Sequence, residues 1–187
     1  ALGNAIEEAG ITVNRFLDPS AGMGEFSQAF YNDNNVEKFA FEKDLLTGKL
    51  LSHLHTEEKV NIEGFESIEN RYNNYFDVVA SNIPFGDISV FDAGFNKKSP
   101  LHKDATRTIH NYFFLKGVDT LREGGLMAYI TSQGVMNSPS NEPIRKWLMK
   151  NTNLVSAIRL PNNLFTDYAG TEVGSDLIVL QLSLIQI

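Results

Sequence analysis

Short apolar runs rich in β-branched and aromatic residues alternate along this chain with longer amphipathic stretches. "VNRFLD", "VEKFAFE", "KVNIE", "FDVVASN", "GLMAYITS", "LVSAIRL" and "SDLIVLQL" have the composition and length of strands, seven in all. "GEFSQAFYND", "DLLTGKLLSHL", "TRTIHNYFFLKGVDTLREG" and "NEPIRKWLMKN" have helical spacing, with Gly124 and Gly125 closing the third. Trp147 sits at helical spacing from Ile144 and reads as core. Strands alternating with helices predict a mainly parallel sheet covered on both faces. No repeat and no low-complexity linker breaks the pattern, so residues 1–187 read as a single domain.

A sheet of this kind binds ligands outside the carboxyl ends of its strands, near the point where strand order reverses. Two strand ends carry unusual polar sequence. In "FLDPSAGMGEF" the first strand ends at Asp18, Pro19 fixes the turn, and Gly22 and Gly24 allow the backbone to approach a ligand. Ser27 stands where a dinucleotide fingerprint would place its third glycine. Glu42 follows at the end of the second strand, an offset that suits an acid accepting from ribose hydroxyls; a solvated carboxylate favouring a helix start is the alternative. After the third strand, Glu63 or Glu66 could accept from an adenine amino group while Phe65 packs on the ring, with Glu66 preferred; plain surface acids are the alternative.

The second unusual end is "SNIPFGD", residues 81–87, directly after an apolar strand. Turn chemistry alone accounts for an Asn and a Pro there. The connection from Asp87 to Arg107 is long and supplies Lys97, Lys98, Lys103 and Arg107, either as phosphate contacts beside the turn or as a merely solvated loop.

Composition narrows the classes. With 42% hydrophobic and 21% charged residues the chain is globular. No apolar run approaches the roughly 20 residues of a membrane span, and "ALGNAIEEAG" lacks the regions of a signal peptide, so a soluble, cytoplasmic protein is expected. Zero cysteines remove disulfides, thiolate zinc sites and Cys nucleophiles. His53 and His55 point to different sides of a helix, which favours surface positions over a shared metal. The net charge of −7 argues against a self-sufficient nucleic-acid clamp. The chain starts without Met inside a helical pattern, which suggests a fragment of a longer polypeptide.

"DPSAGMGEF", "FEKD", "GFE", "SNIPFGD" and "GGLMAYITSQGVM" resemble, in order and spacing, the motifs of S-adenosylmethionine-dependent methyltransferases that act on adenine N6 in DNA. The flavour is that of the methylase domain of large helicase-methylase polypeptides of mobile elements. "NIPF" looks like a variant of that family's Asn-Pro-Pro-Tyr/Phe, with Ile83 in place of the first proline. The resemblance implies a Rossmann-like class I methyltransferase fold, α/β, with an antiparallel last strand reached through "PNNLFTDYAGTEVGSD". It implies S-adenosyl-L-methionine as cofactor, held by Asp18, Pro19, Ala21, Gly22, Gly24, Glu42, Phe65 and Glu66, and no metal.

It also gives the Asn-Pro turn a chemical role. Adenine's amino nitrogen is a poor nucleophile because its lone pair is delocalised into the ring. By resemblance, the Asn82 side-chain oxygen and the Ile83 carbonyl accept its two N–H bonds in a turn stiffened by Pro84, and Phe85 stacks on a base flipped out of the duplex. Loss of one proline is expected to loosen the turn. Only 17 residues precede Asp18, so the cofactor lid and the target reader are expected in flanking helicase or target-recognition domains of a parent protein, with DNA as substrate. Two other readings stand: a methyltransferase for a protein glutamine or an RNA base, and a catalytically silent scaffold or DNA-binding module.

Overall fold

A computed structural model describes residues 6, 10–30, 33, 35–161 and 174–183. Seven strands are present among them: β1 (Arg15–Asp18), β2 (Glu37–Phe41), β3 (Lys59–Asn61), β4 (Phe76–Asn82), β5 (Leu121–Ser132), β6 (Thr152–Arg159) and β7 (Ser175–Leu182). They form one sheet in the order β3-β2-β1-β4-β5-β7-β6. β1 to β5 pair in parallel, while β7 lies antiparallel between β5 and β6. The mainly parallel sheet expected from the alternation of strands and helices is therefore present, and so are the Rossmann-like α/β order and the antiparallel last strand that the family resemblance implies.

The two central strands explain the pattern of apolar runs. β4 is buried from Phe76 through Ser81, and β1 from Phe16 through Asp18, because each face of a central parallel strand is covered. On one face Leu17, Phe39, Phe76 and Val79 pack with helices α4 (Ile109–Thr120) and α6 (Glu142–Asn151), through residues such as Phe114 and Leu148. On the other, Phe16, Val78, Ala80 and Ala128 pack with Phe30 and Val36. Helix α1 (Leu45–Leu54) adds Leu51 against Ala21 and Ala40. Among the described residues no helix is long and apolar enough to cross a membrane.

Several elements differ from their sequence-based outline. Among the described residues of "GEFSQAFYND" the one helical element is a 3-10 turn, Ser27–Phe30, which follows the positive φ values of Gly22 and Gly24. The expected 106–124 helix stops at Thr120, and Leu121 is already extended and paired with Phe76. Gly124, at φ +72, then lets β5 bulge before regular pairing resumes at Leu126. The long connection after Asp87 is not a bare loop. It holds α2 (Ala93–Asn96), capped by Asp92, and α3 (Pro100–Ala105), capped by Ser99 with Pro100 opening the helix. Helix α5 (Gly134–Asn137) follows β5. Trp147 is half-buried against the core, with its ring 6.0 Å from His102. Most of "PNNLFTDYAGTEVGSD" lies outside the described residues.

At the amino end of the sheet one carboxylate fastens three strands. Asp77 accepts from Asn14 N and Arg15 N, each at 2.8 Å, and pairs with Arg122. Burial works to raise this carboxyl, but Arg122 and the two N–H donors outweigh it and hold it below the ordinary carboxylate range. Asp77→Ala is expected to lower unfolding stability by on the order of 3 kcal/mol at pH 7, since it strands two N–H groups and a guanidinium. A depressed carboxyl contributes only while ionised. The difference from wild type in urea denaturation should therefore shrink as pH falls below about 4.

Candidate active site

The sheet order reverses between β1 and β4, so the ends of these neighbours open a crevice. Asp18 closes β1 and Asn82 closes β4. The chain then turns sharply after Asp18: Ala21 N donates to Phe41 O at 2.9 Å and Gly24 N to Ala21 O at 2.8 Å. Gly22 (φ +53) and Gly24 (φ +83) both occupy the left-handed region. Gly24 is also needed for space, because a Cβ there would come within 2.8 Å of His55 Nε2 and Leu51 Cδ1. His55 is thus not a surface residue as expected from "HLH", whereas His53 is exposed. Beneath the loop His55 Nδ1 lies 3.7 Å from Glu58 Oε2, and burial raises the Glu58 carboxyl.

Glu42 holds this loop from the end of β2. Its Oε2 accepts from Gly22 N at 2.9 Å and its Oε1 from Asp44 N at 2.7 Å. The helix-start role belongs to the neighbouring Asp44, which accepts from Thr47 N at 2.8 Å and caps α1. Each Glu42 oxygen retains a second acceptor site for a ligand hydroxyl.

Asp18 is 1% exposed. Its Oδ1 accepts from Ser20 N at 3.1 Å and from Ser81 Oγ at 2.6 Å, while its Oδ2 is buried with no hydrogen-bond partner. Burial pushes this carboxyl up to about 7; Ser81 and Ser20 oppose the rise, and the nearby Glu58 and Glu42 add to it. An orphaned buried acceptor suits a ligand that brings a donor or a positive charge, and both occur in the amino-acid end of S-adenosylmethionine.

Ser81 links this carboxylate to the turn that follows. Asn82 is exposed, Ile83 is 1% exposed, and Pro84 and Phe85 are half-buried before Gly86 at φ +122. Ile83 N donates to Ile130 O at 3.0 Å, a bond that a proline could not make. The replaced proline therefore does not leave a loose turn: the Ile83 side chain is anchored in the main core, and its amide extends the β4–β5 ladder.

Beside these parts lies a cavity of about 310 Å³, with Pro19, Ser20, Lys43, Phe65, Glu66 and Pro84 among its lining. Phe65 is 1% exposed and packs at ring distances of 5.2–6.2 Å on Phe41, Tyr112 and Phe113, so it forms a wall rather than a projecting platform. Glu66 faces the cavity and pairs with Lys43 at 3.0 Å, whereas Glu63 is exposed and does not line it.

Of the four basic residues, Lys98 is carried away from the turn. Lys98 pairs with Asp119 at 2.6 Å, near Asn73 and Asn74, at the amino end of β4. That is the far end of a seven-residue strand from Asn82, roughly 20 Å away. Lys97 precedes it, Lys103 is exposed on α3, and Arg107 pairs with Asp104 at 3.2 Å. α2 and α3 carry this segment along the domain, which a reading of it as an open loop could not foresee.

One polar cluster left no sequence signal, because His110 and Asn111 sit in α4 while their partner Asn141 lies about 30 residues on, just before α6. His110 and Asn111, 7% and 6% exposed, meet Asn141 at 3.3 and 2.9 Å, and Asn141 Nδ2 donates to Gly134 O at 2.9 Å. This ties the amino end of α4 to the exit of β5. Burial lowers the His110 pKa, against the charge of Asp87 and the Asn141 contact.

Comparison with known proteins agrees with this arrangement. The methylase subunit of the type I restriction enzyme EcoEI from Escherichia coli is 26% identical over 180 residues, a match covering 84% of this chain and 36% of that subunit. A protein assigned as the modification subunit of a type I restriction enzyme from Vibrio vulnificus superposes with a TM-score of 0.76 at 19% identity, over 97% of this chain and 43% of its own. One from Listeria monocytogenes, assigned to the class I S-adenosylmethionine-dependent methyltransferases, gives 0.78 at 18% identity, over 100% of this chain and 59% of its own. This chain thus spans about a third of the EcoEI subunit. The model of the Eco57I restriction-modification methylases matches residues 26–165, three quarters of the sequence, and the chain belongs to that family.

Proposed function

We propose that this chain is the catalytic core of an S-adenosylmethionine-dependent methyltransferase acting on the N6 amino group of an adenine flipped out of DNA. The observation that carries the reading is the junction at the sheet's reversal point. The buried Asp18 carboxylate and the exposed Asn82 amide close adjacent strands and are joined through Ser81.

Asp18, the amides around Gly22 and Gly24, Glu42 and Glu66 are the groups that would hold the cofactor, with Phe65 walling its purine side. When bound, S-adenosylmethionine supplies a methyl group on a sulfonium that is already a good leaving group. Asn82 Oδ1 and the Ile83 carbonyl would orient the amino nitrogen by accepting its hydrogens, and Pro84 and the Ile83 amide bond keep both acceptors in place. Phe85 would stack on the base. Alignment is the main contribution asked of the protein, and no metal or covalent nucleophile enters.

DNA binding by the whole protein draws on other parts of a larger assembly, in keeping with a net charge of −7 and with the separation of Lys98 from the turn. Such parts would include a target-recognition or helicase domain, and the cytoplasm is where both DNA and the cofactor are available.

Asn82→Ala is expected to lower methyl transfer to DNA by at least about a hundredfold while leaving the calorimetric affinity for S-adenosylhomocysteine unchanged. Transfer of labelled methyl to RNA or protein glutamine in preference to DNA would overturn the substrate assignment. A protein that binds cofactor and methylates none of the three would be the silent scaffold.

The Asp18 carboxyl, pushed up to about 7, carries a proton below that pH and then accepts poorly. Cofactor affinity should therefore fall about tenfold per unit as pH drops below 7. Asp18→Asn should bind weakly at every pH, with a flat profile between pH 6 and 8.

A further inference from the structure

We propose that Phe91 is the ring that covers the purine of the adenosyl cofactor, a specificity residue supplied by the segment between the catalytic turn and α2. The inference rests on the cofactor assignment made above and adds a contact outside the family motifs.

Phe91 is 83% exposed, and an exposed apolar residue is unremarkable by itself. Its setting makes it informative. Phe91 lines the 310 Å³ cavity, together with Ile88, itself 56% exposed. The opposite walls come from the turns after β1, β2 and β3, through Pro19, Lys43 and Glu66. Asn82, Asp18 and Glu42 are not part of the lining; what places the cavity over the first half of the sheet, where a nucleoside cofactor would lie, is that Ser20, Lys43 and Glu66 belong to the turns after β1, β2 and β3.

The segment is held from both sides. Val90 N donates to Thr106 O at 2.8 Å. The next residue but one, Asp92, accepts from Phe95 N at 2.9 Å, Tyr112 Oη at 2.8 Å and Lys116 Nζ at 3.0 Å. The Asp92 and Lys116 side chains are only 10% and 7% exposed. Burial works to raise the Asp92 carboxyl, but these donors hold it below the ordinary carboxylate range, so the ion pair is intact at neutral pH. Tyr112, which binds Asp92, also packs on Phe65 at 6.2 Å. The anchor of the Phe91 segment and the inner wall of the cavity are thus one packed unit.

A buried ion pair that presents an exposed ring over a cavity ending in an acceptor, Glu66, matches a flat heterocycle with an exocyclic amino group. The ring would cover one face, Phe65 and Pro84 would wall the other side, and the ordering cost has already been met by Asp92. A cavity of this size lies at the lower end of ligand pockets, roughly 300–1,000 Å³, and suits a nucleoside better than a longer ligand.

Wild type, Phe91→Ala and Phe91→Trp are titrated calorimetrically with S-adenosylhomocysteine and with 5′-methylthioadenosine, which keeps the adenosine and lacks the amino acid. Thermal melts of the free proteins serve as the folding control. Phe91→Ala is expected to weaken both ligands by the same factor, about 10- to 100-fold. Phe91→Trp is expected to keep wild-type affinity, and its indole emission should change on saturation. Equal affinity of wild type and Phe91→Ala, or a loss for S-adenosylhomocysteine alone, would overturn the proposal while leaving the cofactor assignment intact. Unchanged cofactor affinity with a raised KM for DNA would move Phe91 to the substrate side and overturn it likewise. If wild type binds neither ligand, the cofactor assignment itself falls and this proposal with it.

Discussion

The ligand end of this domain is organised around a carboxylate that has been taken out of water. Asp18 sits at the end of a central strand, and the neighbouring strands and the glycine loop leave it 1% exposed. Burying such a group is costly unless it is hydrogen-bonded. Ser81 and Ser20 satisfy one oxygen, and the other stays without a partner. That residual cost is what supports the proposed cofactor role, because a ligand bringing a donor would supply what the fold alone does not. It also explains why Ser81 matters beyond its size. Its hydroxyl is the link through which β1 and β4, the two strands that diverge at the crevice, hold their ends in a fixed relation.

Around this carboxylate each neighbouring element is fixed by a contact that leaves some capacity open. Glu42 spends one lone pair on each oxygen to hold Gly22 and Asp44, and keeps others for a ligand. Gly24 is pressed against His55 and Leu51, so the loop cannot relax toward α1. Ile83 places its side chain in the core and its amide in the ladder, which leaves the Asn82 amide facing out. The exposed polar groups of the site are therefore the outer faces of residues whose inner faces are packed, and this is how a loop-built site acquires the rigidity of the sheet beneath it.

The charge distribution bears on how this domain would meet DNA. A net charge of −7, with Lys98 and Arg107 paired to acids, weighs against a self-sufficient phosphate-binding surface. The proposal that other parts of a longer protein supply that surface is in keeping with the chain's match to 36% of the EcoEI subunit.

What the sequence determined by itself is what depends on neighbours within a few residues. The apolar periods located all seven strands, and the turn residues marked Asp18 and Asn82 as strand ends and Gly22 and Gly24 as the loop whose left-handed backbone requires glycine. Short-range rules also misjudged some stretches. "GEFSQAFYND" has helical spacing but follows two glycines in the left-handed region, and the connection after Asp87 conceals two short capped helices. Only the tertiary structure decided the rest. Glu42 meets Gly22 across 20 residues and Ser81 meets Asp18 across 63, distances over which no periodicity carries information. The packing of α2 and α3 carried Lys98 to the far end of the sheet, and Asp92, Tyr112 and Lys116 set Phe91 over the cavity. The type of each element follows from backbone and side-chain preferences that act locally. The partner of each buried polar group follows from which strands become neighbours, and that is settled by burying the apolar faces of the whole sheet at once.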